Sequence, residues 1–338
     1  MNGDILIIGG GPAGISTALH LNLICPDLAR RALIIEKDRY PRPKVCAGAL
    51  VSDAEVLLQR LGLDVGEVPH VDADAAHYLF EGKGLVLRNP GGHILRIIRR
   101  DEFDSWLASK ARERGIAISE QVRVRDDSPD ATGVTVSTDR GDYRSQIAIG
   151  ADGSSSVVRT CVCRDRGRTA FAMEVLVPVK PDRDHDGRTA YFDFSPSASG
   201  TAGYIWDFPT QLRGQPMRCW GLYDSMMPAG RPRPALRSVL AAEMARHGYS
   251  LEDHGLEGRP IRWFSPFNPM AAPRVILAGD AAGVDPIFGE GISMALGYGA
   301  IAARAIKDAF ETGDFSFQDY RRRVLCSPLG RALTVRTA

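Results

Sequence analysis

Two glycine-containing turns, one near each end of the chain, most constrain the fold. The apolar run ILII at residues 5–8 enters GGGPAG at residues 9–14, and the apolar run VILA at residues 275–278 enters GDA at residues 279–281. An apolar strand that enters a glycine turn and then a helix is typical of parallel α/β folds that bind nucleotides. The first motif alone is a weak signal. The two motifs together predict one long dinucleotide held by both ends of the chain.

The first turn has a residue for each task of a pyrophosphate site. Gly9 permits the tight bend, Gly11 lets the backbone approach the pyrophosphate, and Gly14 permits close packing of helix on strand. Pro12 suits the first helical position, where its missing N–H costs nothing. The helix N-terminus supplies free amides to the phosphates. Glu36 closes the second strand, where its carboxylate would accept hydrogen bonds from an adenosine ribose.

A third motif lies between the other two and narrows the choice of dinucleotide. Another apolar strand ends in GADGSSSVVR at residues 150–159, and Asp152 with Gly153 suits a loop that folds back onto the ligand. Asp280, in the last motif, offers a carboxylate to a ribityl or sugar hydroxyl. This combination favours FAD as the cofactor.

Composition and charge exclude other classes of ligand. The 338 residues include 42 Lys and Arg and 41 Asp and Glu, a formal net charge of +1, so there is no electrostatic basis for binding nucleic acid or an anionic membrane. No window approaches the roughly 18 uninterrupted apolar residues of a spanning helix, and we expect no membrane-spanning segment. The N-terminal apolar run leads directly into a glycine turn, which is not the pattern of a signal peptide.

The six cysteines and seven histidines show neither a disulfide framework nor a metal pattern. Cys161 and Cys163 form a C-x-C without a matching pair, and we expect reduced thiols. The histidines form no H-x-x-x-H or His/Cys cluster, so we expect no metal. These features predict a cytoplasmic protein.

The chain is expected to be an α/β protein with two units. One is a Rossmann-like FAD-binding domain, a parallel sheet with helices; the other is an antiparallel-sheet substrate domain, because residues 169–225 alternate aromatic or β-branched segments with turn residues. We assign residues 1–75, 99–168 and 265–330 to the FAD-binding domain. The substrate domain takes residues 76–98 and 169–264, and residues 331–338 are a short C-terminal tail.

With these three motifs the chain resembles a known superfamily, that of the FAD-dependent p-hydroxybenzoate hydroxylases and flavin-dependent halogenases. Three further segments point to the geranylgeranyl reductase branch within it. The segment PKVCAGAL at residues 43–50 resembles the Lys-x-Cys-x-Gly segment beside the isoalloxazine. GYIWDFP at residues 203–209 resembles the Y-x-W-x-F-P substrate motif. DPIFGEGI at residues 285–292 resembles a stretch whose backbone amides face the flavin pyrimidine edge.

The motifs and this resemblance together imply a set of site residues. Cys46 would lie near the reactive flavin, as a weak proton donor. The substrate would contact a wall made of Tyr204, Trp206, Phe208 and Pro209. The residues expected to hold FAD are Gly9, Gly11, Pro12, Ala13, Gly14, Glu36, Lys37, Lys44, Arg100, Asp152, Gly153, Gly279, Asp280, Ala281, Pro286, Gly289, Gly291 and Ile292.

The chain also departs from the family pattern. Ala49 stands where a second glycine is common, and Thr210 stands where a lysine often follows the F-P pair. The segment after Arg331 is shorter than in many relatives, whose extra helices shape a prenyl-chain cavity. The Gly-Glu-Ser signature of the halogenases is absent at residues 46–48.

Two reactions remain open. Reduced flavin delivers hydride to a carbon–carbon double bond, with a proton from the Cys46 thiol or water; or a flavin hydroperoxide hydroxylates an aromatic substrate in a dry site. A non-catalytic electron carrier fits less well, because it needs no aromatic substrate wall. The sequence has no second dinucleotide fingerprint, so the electrons would come from transiently bound NAD(P)H or from a separate electron-donor protein.

Overall fold

The structure, a computed structural model, describes residues 3–163, 167–180, 187–228, 230 and 232–337. Its strands are β1 Ile5–Ile8, β2 Ala32–Ile35, β3 Ala49–Leu50, β4 His70–Ala73, β5 Ala75–Phe80, β6 Lys83–Arg88, β7 Leu95–Ile98, β8 Ala117–Ser119, β9 Val124–Pro129, β10 Val134–Thr138, β11 Gly141–Ser145, β12 Ile147–Gly150, β13 Thr169–Pro178, β14 Thr189–Asp193, β15 Gly203–Leu212, β16 Gln215–Asp224, β17 Glu257–Arg262, β18 Ala271–Ala272 and β19 Val275–Leu277. Its α-helices are α1 Pro12–Ile24, α2 Pro26–Ala29, α3 Ser52–Arg60, α4 Arg100–Glu113, α5 Arg159–Val162, α6 Leu236–Arg246, α7 Ile292–Thr312, α8 Tyr320–Cys326 and α9 Pro328–Thr337.

A six-stranded sheet in the order β18-β19-β12-β1-β2-β8 forms the first unit. It is parallel except for β18. All four residues of β1 are buried, as expected of an apolar run in the middle of a parallel sheet. The register pairs Ile8 with Ile35 and with Gly150. The carboxyl ends of these strands are therefore level, and the turns that follow them meet at one edge of the sheet.

A seven-stranded sheet in the order β17-β13-β16-β15-β14-β5-β6 forms the second unit. Its neighbouring strands are antiparallel, except that β14 pairs with β5 in parallel. An antiparallel sheet was predicted from the sequence, but the parallel pairing of β14 with β5 was not. The parallel pairing is possible because β5 and β14 are joined by a long crossover through the first unit rather than by a hairpin.

The two faces of the seven-stranded sheet have different partners. Tyr204, Trp206 and Phe208 belong to the same core cluster as the strands of the first unit. Ile205 and Trp220 belong to a separate cluster that includes α6. The side chains of β15 thus alternate between the first unit and α6, as the period of two along a strand requires. The predicted fold class is confirmed.

Residues 331–337 continue a helix and are not a simple tail. Helix α9 starts at Pro328, and Leu333 within it is fully buried. Proline suits the first turn of a helix, and Leu329 and Leu333 are one turn apart on the same side. Ala338 lies outside the described residues.

The predicted domain boundaries stay a prediction. They also include residues 1, 2, 164–166, 181–186, 229 and 231, which lie outside the described residues. Two three-stranded sheets, β11-β10-β9 and β3-β7-β4, complete the described architecture. Of the helices in the described part of the chain, none is both long and apolar enough to cross a membrane.

Candidate active site

A cleft of about 380 Å³ lies where the turns after β1, β2, β12 and β19 meet. The parallel strands place these turns together, as is usual for ligand sites in open α/β sheets. Most of the predicted site residues line the cleft, namely Gly9, Gly11, Pro12, Ala13, Glu36, Lys37, Lys44, Cys46, Arg100, Asp152, Gly153, Asp280, Gly289, Gly291 and Ile292.

The three glycines of the first turn for which the sequence predicts a role have different surroundings. Gly9 has a φ of +108°, and a Cβ on it would overlap the carbonyl of Ala151. A Cβ on Gly14 would overlap the carbonyl of Gly9, which is the close helix-to-strand packing that the sequence predicts. At Gly11 the nearest atom to an added Cβ would be Arg42 Nη2, at 3.6 Å. Gly11 is therefore the glycine that opens the backbone toward a ligand.

Glu36 is buried at the end of β2 and holds the glycine turn. Its carboxylate accepts hydrogen bonds from the amides of Gly10, at 2.8 Å, and Asp38, at 3.0 Å. A carboxylate has about four acceptor positions, so capacity remains for ribose hydroxyls. The position agrees with the role predicted for Glu36.

Two arginines share one buried carboxylate beside the turn. Arg100 donates two hydrogen bonds to Asp104, at 2.9 and 3.0 Å, and Arg42 Nη2 lies 3.0 Å from the same carboxylate. Arg42 Nε is buried, has no hydrogen bond within the described residues, and lies 3.6 Å from Glu36 Oε2 as an ion pair. The Arg42 guanidinium lines the cleft near Gly11, where a cation fits a pyrophosphate. Arg42 was not predicted from the sequence; the available signal was a cation between two prolines, just before Lys44.

The Asp-Gly motif lies at the other side of the cleft. Asp152 Oδ2 accepts hydrogen bonds from the amides of Val157, at 2.7 Å, and Val158, at 3.4 Å. Burial raises the pKa of Asp152. Gly153 has a φ of +85°, and no atom lies within 4 Å of the position of an added Cβ. Asp152 thus shapes the loop, and Gly153 leaves open space at the cleft.

Asp280 and Lys44 place opposite charges within the cleft. A Cβ added to Gly291 would lie 3.7 Å from Asp280 Oδ1. Burial, Arg259 and other nearby arginines lower the pKa of Lys44 to about 8, while Asp280 opposes this shift. Among the hydrogen bonds of the described residues, none involves the Asp280 carboxylate, which leaves its oxygens available to ribityl hydroxyls.

Cys46 is joined to the second unit by a half-buried acid. The Cys46 amide donates a hydrogen bond to Glu174 Oε1, at 2.8 Å. Burial raises the pKa of Glu174, and its Oε2 atom is buried without a hydrogen-bond partner in the described chain. Glu174 was not predicted from the sequence. Its signal was a lone acid in the apolar strand β13.

Four predicted FAD residues do not line the cleft: Gly14, Gly279, Ala281 and Pro286. Gly14 packs α1 on β1, and Gly279 has a φ of +62° with Ala13 Cβ 2.7 Å from its added Cβ. Ala281 is fully buried, and its carbonyl accepts a hydrogen bond from Arg159. The Pro286 carbonyl accepts a hydrogen bond from the hydroxyl of Tyr223. These residues support the turns rather than face the cleft.

The predicted substrate wall is packed differently from the expectation. Tyr204, Trp206, Phe208 and Pro209 are buried and do not line the cleft. The Tyr204 hydroxyl donates a hydrogen bond to the carbonyl of Phe288, at 2.7 Å, and a Cβ on Gly221 would overlap the ring of Trp206. The ring of Phe192, on the neighbouring strand β14, packs against the ring of Phe208, with the two centroids 4.9 Å apart.

Comparison with known proteins decides the family. The model of the family described as "FAD binding domain" matches residues 2–305. The chain belongs to this family. It is 27% identical to a digeranylgeranylglycerophospholipid reductase of Thermoplasma acidophilum, over 93% of this chain and 80% of that protein. It is likewise 27% identical to a menaquinone reductase of Mycolicibacterium smegmatis, over 89% of this chain and 75% of that protein.

Solved structures share the fold. A geranylgeranyl bacteriochlorophyll reductase-like protein from Thermoplasma acidophilum matches with a TM-score of 0.77 and 24% identity, over 95% of this chain and 82% of that one. The flavin-dependent halogenase CmlS matches with a TM-score of 0.70 and 23% identity, over 99% and 62% of the two chains.

These findings confirm the predicted resemblance and the FAD cofactor. The protein is an FAD-dependent oxidoreductase. The assignment of individual residues to FAD stays a prediction.

Proposed function

We propose that this FAD-dependent oxidoreductase reduces carbon–carbon double bonds in an apolar, isoprenoid-type substrate. The observation that carries the proposal is the position of Cys46, in the cleft and bonded through its amide to Glu174 of the seven-stranded sheet. A thiol and a half-buried acid thus lie between the cofactor cleft and the aromatic sheet face. The relatives named as reductases of a digeranylgeranyl lipid and of menaquinone support the same class of substrate.

The cofactor site provides both an anion-binding end and a hydroxyl-binding end. Gly11 and the guanidinium of Arg42, which both line the cleft, would receive the pyrophosphate. Glu36 and Asp280 would accept hydrogen bonds from ribose and ribityl hydroxyls. Bound FAD, once reduced, supplies the hydride.

The chain must supply a proton and exclude water. Hydride addition to one carbon of the double bond leaves the other carbon to take a proton, and we assign this proton to the Cys46 thiol or to a water that it holds. Glu174 fixes the backbone of Cys46, and its raised pKa keeps its carboxyl protonated to a higher pH than an ordinary glutamate. Buried Tyr204, Trp206 and Phe208 keep this side of the site apolar.

We further propose that the enzyme works in the cytoplasm and draws electrons from transiently bound NAD(P)H or a separate reductase protein. None of the six cysteines, all within the described residues, forms a disulfide, which agrees with a reducing compartment. Reduction of the bound flavin by NADPH alone, measured anaerobically, distinguishes the two electron sources.

The test of the proposed reaction is the mass of the product. FAD-loaded enzyme is reduced with dithionite and mixed anaerobically with a digeranylgeranyl glycerophospholipid or with menaquinone. After any menaquinol has been reoxidised to the quinone in air, the expected product has gained two hydrogen atoms for each carbon–carbon double bond reduced. Cys46→Ala should slow its formation more than Cys46→Ser. Cys326→Ala, at an exposed thiol on α8, is the matched control.

A product that contains an added oxygen atom after aerobic turnover, with no anaerobic product, would overturn the proposal in favour of a monooxygenase. Equal rates for wild type, Cys46→Ala and Cys46→Ser would remove Cys46 from the proton transfer.

A further inference from the structure

The loop 285–291, between β19 and α7, contributes two glycines to the cleft, Gly289 and Gly291. Its shape depends on Asp285, which is fully buried. Asp285 Oδ1 accepts a hydrogen bond from the amide of Ile287, at 2.9 Å, and Oδ2 one from the amide of Phe288, at 3.4 Å. The carboxylate therefore holds the first half of the loop in a tight turn. A buried carboxylate also needs a cation to offset the loss of its hydration.

That cation comes from helix α9. Arg336 Nη1 donates a hydrogen bond to Asp285 Oδ2, at 2.9 Å, and another to Glu290 Oε2, at 3.0 Å. One guanidinium nitrogen thus joins two carboxylates that flank Gly289. Glu290 Oε1 accepts a further hydrogen bond from the hydroxyl of Ser293, at the start of α7.

The loop is also held from the sheet side. The hydroxyl of Tyr204 bonds to the carbonyl of Phe288 and the hydroxyl of Tyr223 to the carbonyl of Pro286, each at 2.7 Å. These two bonds join neutral groups, whereas the Arg336 contact balances charge. Without Arg336, the two carboxylates would repel each other across Gly289, and Glu290 would lose the hydrogen bond to Oε2 and keep the one from Ser293 to Oε1.

We propose that Arg336 is a positioning residue for the cofactor, which sets the backbone of loop 285–291 and balances the negative charge next to bound FAD. The inference rests on the cofactor site of the proposed function and is independent of the substrate. Removal of Arg336 should weaken the binding of both redox forms of FAD. The effect should be larger on the reduced form, since that form carries more negative charge at physiological pH and loses the cation that pairs with both Asp285 and Glu290.

The experiment measures FAD affinity, the midpoint potential of the bound flavin and the melting temperature. Arg336→Gln should bind oxidised FAD about 10-fold more weakly and reduced FAD about 100-fold more weakly. That tenfold difference corresponds to a potential about 30 mV more negative for a two-electron couple. Arg336→Lys should recover most of the potential. The matched control is Arg331→Gln, which removes a guanidinium from the same helix. Arg331 donates its hydrogen bonds to the carbonyl of Cys326 rather than to a carboxylate of loop 285–291.

A double variant separates charge balance from helix stability. Glu290→Gln with Arg336→Gln removes one carboxylate together with the cation and should recover part of the wild-type potential. An unchanged potential in Arg336→Gln, or the same shift in Arg331→Gln, would overturn the inference. A lowered melting temperature in Arg336→Gln without recovery in the double variant would assign Arg336 to folding alone, which also overturns it. Failure of the wild type to bind FAD would instead refute the cofactor site itself.

Discussion

The lowered pKa of Lys44 predicts that FAD affinity changes between pH 7 and pH 9, a range in which few lysines titrate. Burial and Arg259 lower this pKa to about 8, so the side chain is about nine-tenths protonated at pH 7 and about one-tenth protonated at pH 9. The phosphates of FAD are negative over this range and should raise the pKa of Lys44 in the complex. Binding therefore takes up a proton, and affinity should fall as the pH rises.

The size of the effect follows from these fractions. If the complex keeps Lys44 charged, affinity should drop about tenfold between pH 7 and pH 9, or about 1.4 kcal/mol. Fluorescence titration of apoprotein with FAD at several pH values measures this slope. Lys44→Met should bind FAD more weakly at pH 7 and show little change with pH. Lys44→Arg should bind well at both values, because arginine stays charged.

The control is Lys83→Met, at an exposed position on β6, which should retain the wild-type slope. A wild type whose affinity is flat between pH 7 and pH 9, or a Lys44→Met variant that keeps the slope, would refute the assignment of Lys44 to the anionic part of FAD.

Four substitutions test other residues of the site and the core. Asp280→Ala should weaken FAD binding by about 1.5–3 kcal/mol, roughly 10- to 150-fold, in the same titration, because a charge-assisted hydrogen bond to the ribityl is lost; an unchanged affinity would contradict this role. Gly11→Val should abolish FAD binding but keep the circular dichroism spectrum, whereas Gly14→Ala should destabilise the fold by about 1–3 kcal/mol through overpacking; FAD retained by Gly11→Val would count against the turn. Trp206→Ala should cost about 3–5 kcal/mol of unfolding free energy in urea titrations, and normal stability would mean that its burial contributes little.

The parts of the fold and site that rest on local patterns were predictable from the sequence. Apolar runs that end in GGGPAG and GDA indicate parallel strands, and parallel strands place their turns at one edge. Most residues of the first turn, Asp280 of the second, and Glu36 at the end of β2 accordingly line the cleft. The environments of Gly11 and Gly14 also followed from the motif, because the tasks of its glycines are steric.

The missed features depend on contacts between distant segments. Glu174 is one acid in a strand, and only the fold brings it to the amide of Cys46. Arg336 can bond to Asp285 and Glu290 only because the fold places α9 against loop 285–291. For Tyr204, the sequence could not distinguish a substrate wall from a packed core, because the packing against Phe192 comes from another strand.

The most direct test of the account is reoxidation of the reduced flavoprotein in the absence of oxygen. The enzyme is reduced anaerobically with a limiting amount of dithionite, mixed with the isoprenoid substrate, and followed by flavin absorbance. The account predicts that substrate alone returns the oxidised spectrum, with one double bond saturated for each FAD reoxidised. Reduced flavin that persists until oxygen is admitted, followed by an oxygenated product, would contradict it.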